Sequence, residues 1–339
     1  MNRRSLLSGV ALAATTGLAV RQHWPSRVPS RRPRLSHVAI LRCDRYDLTP
    51  HAVEDGFRLL PLSVRGKRVL LKPNLVEYSP AAPINTHPVL IASVIDALYR
   101  RGASSVVVAD GPGHVRDTDL LLSESGLREH LDTVGRSHFV DLNFDSVVSV
   151  PPTTGLTQLR ELWLPKTILS ADIVISMPKI KTHHWAGVTL SLKNLFGIVP
   201  GSIYGWPKNV LHWQGIDNSI VELAASVPID FVIADGIEAM EGDGPLHGPM
   251  KRLGCLVFGD DPVAADSTCC RLMGIDPNRV RHLGMVSPLG NLDVPLIEQR
   301  GESIARLRQR FDLRLEFSYL RDRVGPPIGL ADDASMRPN

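Results

Sequence analysis

Lysine is scarce in this chain of 339 residues: of its 38 basic residues only 8 are lysine and the remainder are arginine. Between Glu161 and Lys251 arginine is missing altogether, and the cations there are Lys166, Lys179, Lys181, Lys193, Lys208 and Lys251. A compact ammonium and a planar guanidinium fork are not interchangeable, so a long stretch that accepts only ammonium points to a local need for it. Cysteine is also rare. The four present, Cys43, Cys255, Cys269 and Cys270, show neither C-x-x-C spacing nor a Cys/His finger pattern, which excludes an iron-sulfur cluster motif and a structural zinc site. Cys269 and Cys270 fall in an apolar helical pattern and read as buried free thiols. The G-x-x-x-x-G-K-[ST], G-x-G-x-x-G, H-E-x-x-H and nucleophile-elbow patterns are all absent, which removes support for a P-loop, for dinucleotide-dependent hydride transfer and for serine hydrolysis.

The bulk numbers describe a folded chain, 43% hydrophobic and 22% charged. The formal charge of +3 hides an asymmetry, because residues 1–34 carry seven Arg and no acid, leaving the body at −4. A body that is not basic argues against nucleic acid as a partner. Arg3-Arg4 followed by an uncharged run from Ser5 to Val20 looks like a twin-arginine export signal, with cleavage after Ala19; an uncleaved anchor is the alternative. The run is short for a membrane span, so no stable span is expected after processing. The expected location is periplasmic or otherwise extracytoplasmic, reached through the twin-arginine machinery.

Strand and helix signals then alternate. Strands are expected at His37–Leu41, Arg68–Leu71, Ser105–Ala109, Ile173–Ile175 and Leu253–Phe258. Helices are expected from Pro50 to Leu62, after a Thr86 cap to about Arg101, and from Pro262 to Met273. Short connections between them predict an α/β fold with a mostly parallel sheet flanked by helices and a strand-rich excursion near 139–163. The expected organisation is a signal segment at 1–20, an Arg/Pro/Ser tether at 21–34, one α/β domain at 35–323 divisible into lobes 35–160 and 161–323, and a tail at 324–339. An internal echo relates the lobes: V-V-V-A-D-G ends at Gly111 and F-V-I-A-D-G at Gly236, each preceded by a lysine-bearing strand end.

Ser176–His212 is the stretch richest in chemistry, and its cations follow a buried strand, where ligands of open α/β sheets bind. Lys179, Lys181 and His183 share a parity, so on a continuing strand they project to one side and can grip one anion. They are the candidate catalytic residues, with Lys181 the candidate base or imine-forming amine. Lys72, Asn74, Lys193, Asn194, Lys208 and His212 are candidate substrate-binding residues. Asp235, Glu238 and Glu241, with Asp110, are candidate ligands for a divalent cation, and pairing with the lysines is their other reading. The EF-hand spacing is missing.

The runs P-K-I-K-T-H, V-T-L-S-L-K-N-L-F-G-I-V-P-G, Y-G-W-P-K-N-V-L-H, D-G-I-E-A-M-E-G-D-G-P and D-P-V-A-A-D, with L-K-P-N and T-H-P near the start, resemble domain-of-unknown-function family 362 from about His37 to Phe311. The resemblance places the site at Lys72, Asn74, Lys179, Lys181, His183, Lys193, Asn194, Lys208 and Asp235 and supplies no reaction. Some relatives in that family carry ferredoxin-type cysteines; this chain has none, so no iron-sulfur role carries over. The function expected is an exported enzyme acting on a small anionic molecule through a lysine-rich crevice, assisted by a metal ion where the carboxylates converge. A non-catalytic periplasmic binding protein for an anion or metal complex is the alternative.

Overall fold

The computed structural model describes residues 32–113 and 117–321. The expected signal segment, the tether up to residue 31, His114 and the expected tail lie outside the described residues. Among the described residues no helix is long and apolar enough to cross a membrane.

The fold is α/β, built on one mostly parallel sheet. Its strands are β1 (Ser36–Arg42), β2 (Arg68–Pro73), β3 (Ser105–Asp110), β4 (Phe139–Asp141), β7 (Ile173–Met177), β10 (Phe231–Met240), β12 (Cys255–Gly259) and β13 (Ile297–Gly301), in the spatial order β13-β1-β12-β10-β7-β2-β3-β4. Only β12 runs against the rest of this path, pairing antiparallel with both β1 and β10. Three short strands branch from it: β8 (Lys179–His183) continues β7 past Pro178 and pairs with β10, β9 (Gly187–Thr189) pairs with β8, and β11 (Met250–Lys251) pairs with β10. The excursion at 139–163 divides. β4 adds to the edge of the main sheet, whereas β5 (Val147–Val150) and β6 (Leu162–Pro165) form a separate antiparallel pair.

Alternate strand residues enter two cores, one on each face. Val69, Leu71, Ile173, Ile175, Phe231 and Phe258 meet the helices Thr49–Leu59 and Pro88–Arg100. Leu70, Val174, Val232 and Val257 meet Ile216–Ser226 and Pro262–Leu272. Burial on both faces is why these strands read as continuous apolar runs rather than as alternating ones. All four cysteines are buried and free. The helix at Pro88 is capped not by Thr86 but by His87, whose ring nitrogen accepts from Val89 N, because the Thr86 hydroxyl is engaged by Asn74 N and Met177 O.

The connections fix where a ligand can enter. From β2 the chain passes to β3 on one side, and from β7 it passes to β10 on the other, so the topology reverses between the adjacent strands β7 and β2. Loops leaving the two carboxyl ends diverge there and leave a crevice.

Candidate functional site

Each strand bordering that crevice delivers polar groups at its carboxyl end. Lys72 closes β2, and its ammonium donates to Asp110 Oδ1 at 2.6 Å, Pro73 O at 2.8 Å and Asn194 Oδ1 at 3.2 Å. Asp110 closes β3 and also accepts from the backbone N–H of Leu75 and Gly111. Asn194 donates in turn to Lys72 O and Ser176 Oγ. Removing both charges from water draws Lys72 down and Asp110 up in pKa, and their mutual attraction opposes the shift. Gly197 seals this pair: a Cβ there would lie 2.0 Å from Asp110 Oδ1 and 2.6 Å from Lys72 Nζ, so only glycine allows the approach.

Above the pair lies a cavity of about 200 Å³. Lys72, Asn74, Asp110, Lys181, His183, Lys193, Asn194, Lys208 and His212 line it, drawing nine of the thirteen residues singled out in the sequence into one place. Four of them are lysines, and Asp110 is the one carboxylate among the described lining residues. The other three lysines are not ion-paired there. Lys181 Nζ donates to Ile84 O at 2.7 Å and Pro245 O at 3.4 Å. Lys208 Nζ donates to Asn143 Oδ1. Lys193 Nζ sits 3.9 Å above the Phe196 ring and makes no hydrogen bond or ion pair among the described residues. Burial depresses all three amines: Lys181 falls well below its ordinary value, helped by the charges of Lys179 and Lys193, and Lys193 and Lys208 fall to about 7.

Local structure explains why these lysines stay in place. Lys193 and Asn194 ride on a single turn, Ser191–Asn194, whose first N–H groups and Ser191 hydroxyl are held by the buried carboxylate of Asp266 at 2.6 to 3.0 Å. Lys208 occupies the left-handed region at φ 68°, sparsely populated for a residue with a Cβ, at the start of the helix Asn209–Trp213. Asn143, reaching in from the loop after β4, accepts from both Lys208 and Gly201 N.

The imidazoles are held in defined tautomers by their backbone partners. His183 Nδ1 accepts from Trp185 N and Ala186 N, so a neutral ring carries its proton on Nε2. His184 Nδ1 lies 2.9 Å from Gly244 O and His212 Nδ1 lies 3.1 Å from Lys208 O; a carbonyl can only accept, so these rings donate from Nδ1 and keep a lone pair on Nε2. Burial lowers all three in pKa, His183 well below its ordinary value and His212 to about 4. The cavity thus offers ammonium donors beside neutral imidazole acceptors.

Four of the singled-out residues lie elsewhere. The ammonium of Lys179 does not join Lys181 on a shared anion; it is spent on Asp235 at 2.6 Å and Tyr46 Oη at 2.9 Å. Asp235 further accepts from Tyr46 Oη and His87 N, and the Tyr46 ring stacks on His87 with centroids 3.6 Å apart. Glu238 faces Arg252 at 3.5 Å, and Glu241 faces Lys251 at 3.1 Å and accepts from Asp312 N. The carboxylates proposed for a metal ion therefore do not converge, and among the described residues no group of three His, Cys, Asp or Glu side chains is placed to hold one. Sequence reading also missed cavity residues: Thr189, Trp185, Phe196 and Gly197. The H-H-W triplet and the F-G pair after Lys-Asn-Leu were the available signals. Two buried polar atoms on lining residues, Asn74 Oδ1 and Thr189 Oγ1, have no partner within the described protein, which is costly unless a ligand or water supplies one.

The model of the family described as "Domain of unknown function (DUF362)" matches residues 69–271. A curated Synechocystis protein, "Thylakoid-associated protein sll1697", is 30% identical over 248 residues, covering 69% of this chain and 74% of that one. Two solved structures are similar at a TM-score of 0.44. The lactate racemase apoprotein from Thermoanaerobacterium thermosaccharolyticum is 15% identical, covering 72% of this chain and 58% of its own. A Thermotoga maritima protein is 14% identical, with coverages of 68% and 60%. The chain thus spans about three-fifths of the length of each of these two structures.

Proposed function

Because this chain belongs to the DUF362 family, and the matched segment carries every lysine of the cavity, we propose that the protein is an enzyme that binds a small anionic molecule there and transfers a proton on it. The carrying observation is the charge balance: four lysines against one carboxylate around about 200 Å³. Buried ammonium groups without carboxylates need an anion to offset their desolvation. Lys181, Lys193 and Lys208, with the Lys72–Asp110 pair behind them, hold the ligand and stabilise negative charge that grows on it. His212 Nε2 takes the proton, since its lone pair is fixed by the bond from Nδ1 to Lys208 O. In this reading Lys181 binds the ligand rather than acting as base or imine-forming amine, because its amine is buried between two carbonyls.

A thermal-shift screen at pH 7 over sulfate, phosphate, short carboxylates and divalent cations tests this, since a ligand that binds only the folded state raises the melting temperature. Anions should stabilise the wild type and not a Lys193→Met/Lys208→Met variant, while His212→Ala should keep the shift and lose turnover. Stabilisation by divalent cations alone, or an anion shift untouched in the lysine variant, overturns the reading. We also propose export by the twin-arginine route, supported by Arg3-Arg4 and the uncharged run after it. A reporter fused to residues 1–34 should reach the periplasm, and Arg3→Lys/Arg4→Lys should keep it in the cytoplasm.

A further inference from the structure

The chain is poor in aromatic residues, 5% of the total, yet it keeps exposed ones beside the cavity. Trp185 lines the cavity and is 55% exposed, so one ring spans inside and outside. It packs edge-on against His212 with centroids 5.0 Å apart, and the next residue of that helix, Trp213, is 78% exposed. Phe144 is 71% exposed, follows Asn143, the residue that holds Lys208, and lies 6.1 Å from the ring of Trp206, which leads into the lining residues Pro207 and Lys208. Each of these aromatics is thus the chain neighbour of a residue that builds or braces the cationic cavity. Trp185, which is both part of the cavity wall and largely exposed, gives the cationic cavity an apolar rim open to solvent.

The cavity itself is small. At about 200 Å³ it lies below the usual range of small-ligand pockets, which suits a carboxylate or phosphate group and a short attached chain. Anything longer must leave through the mouth past Trp185, the exposed aromatic in the cavity wall. Ammonium inside and aromatic rings outside complement a molecule with the same division, an anionic head and an apolar tail.

Building on the anion-binding reading above, we propose that the ligand of this site is an amphiphilic anion, its charged head on Lys193 and Lys208 and its apolar chain or ring running out over Trp185 towards Trp213. The test is a calorimetric series at pH 7 with the full chain and acetate, butanoate, hexanoate and octanoate, each below its micellar concentration. Affinity should rise at least tenfold from butanoate to octanoate, the limit for full burial being roughly fourfold per methylene. Trp213→Ala, at an exposed position, should leave acetate binding unchanged and lose part of the chain-length gain; Trp185→Ala/Trp213→Ala should abolish that gain. A flat series in which acetate binds as well as octanoate overturns the inference and leaves the anion site standing. Failure of every carboxylate to bind overturns the anion site as well. Tryptophan-dependent binding to phosphatidylglycerol vesicles without affinity for free octanoate overturns it in favour of a membrane surface.

Discussion

Raising the pH from 6 to 9 should strip the cavity of its affinity for anions. Lys193 and Lys208 have values of about 7 in the unliganded protein because burial penalises their charge. An anion favours the ammonium forms, so it raises both values on binding, and the complex takes up protons at any pH above 7 where the free amines are neutral. Affinity therefore falls as pH rises through 7, by roughly 10²-fold per lysine between pH 6 and 9 and on the order of 10⁴-fold where both are coupled to the ligand. Sulfate is the suitable probe because its own charge is constant over this range. Calorimetry at pH 8 in two buffers of different ionisation enthalpy should give an uptake of close to two protons, falling to about one in Lys193→Met. The stability of the unliganded protein carries the opposite sign. Between 7 and the ordinary lysine value the unfolded chain holds protons the folded one lacks, so these two residues contribute stability that grows with pH. Affinity that stays flat from pH 6 to 9, with no buffer-dependent heat, would refute the reasoning.

Gly197→Ala should destabilise the fold by about 1–3 kcal/mol, since its Cβ would overlap Asp110 and Lys72. In the same urea titrations Gly284→Ala, with nothing near its Cβ, should be neutral or slightly stabilising. Asp110→Asn leaves the Lys72 charge buried without a counter-ion, and a loss of about 3–5 kcal/mol is expected; the double change Lys72→Met/Asp110→Asn, which keeps an acceptor for Leu75 N and Gly111 N, should be milder than either single one. A single change costing under about 1 kcal/mol would show that the pair does not hold the strand ends together.

Much of this arrangement is legible in the residues. The Arg-free stretch contains three of the four cavity lysines, Lys181, Lys193 and Lys208, and the apolar runs before Lys72, Asp110 and Lys179 mark strands buried on both faces. The two A-D-G strings also have a shared geometry: Asp110 and Asp235 each meet a lysine of the neighbouring parallel strand at 2.6 Å. Which carboxylate neutralises which lysine is not legible, because it depends on strand adjacency, and adjacency is set by crossovers with no local signature. Lys179 and Lys181 look equivalent by parity, but only the first lies beside Asp235 and Tyr46. The antiparallel insertion of β12 is hidden for the same reason. Trp185 is an ordinary tryptophan until folding places its ring in the cavity wall beside His212.

Selenate offers the most direct look at where charge is wanted, because a heavy oxyanion reports its own position by anomalous scattering. Crystals grown at pH 6 and soaked in it should show a peak inside the cavity, about 2.7–3.2 Å from Nζ of Lys193 and of Lys208 at the selenate oxygens. Peaks confined to surface arginines, with nothing between those two amines, would contradict the account.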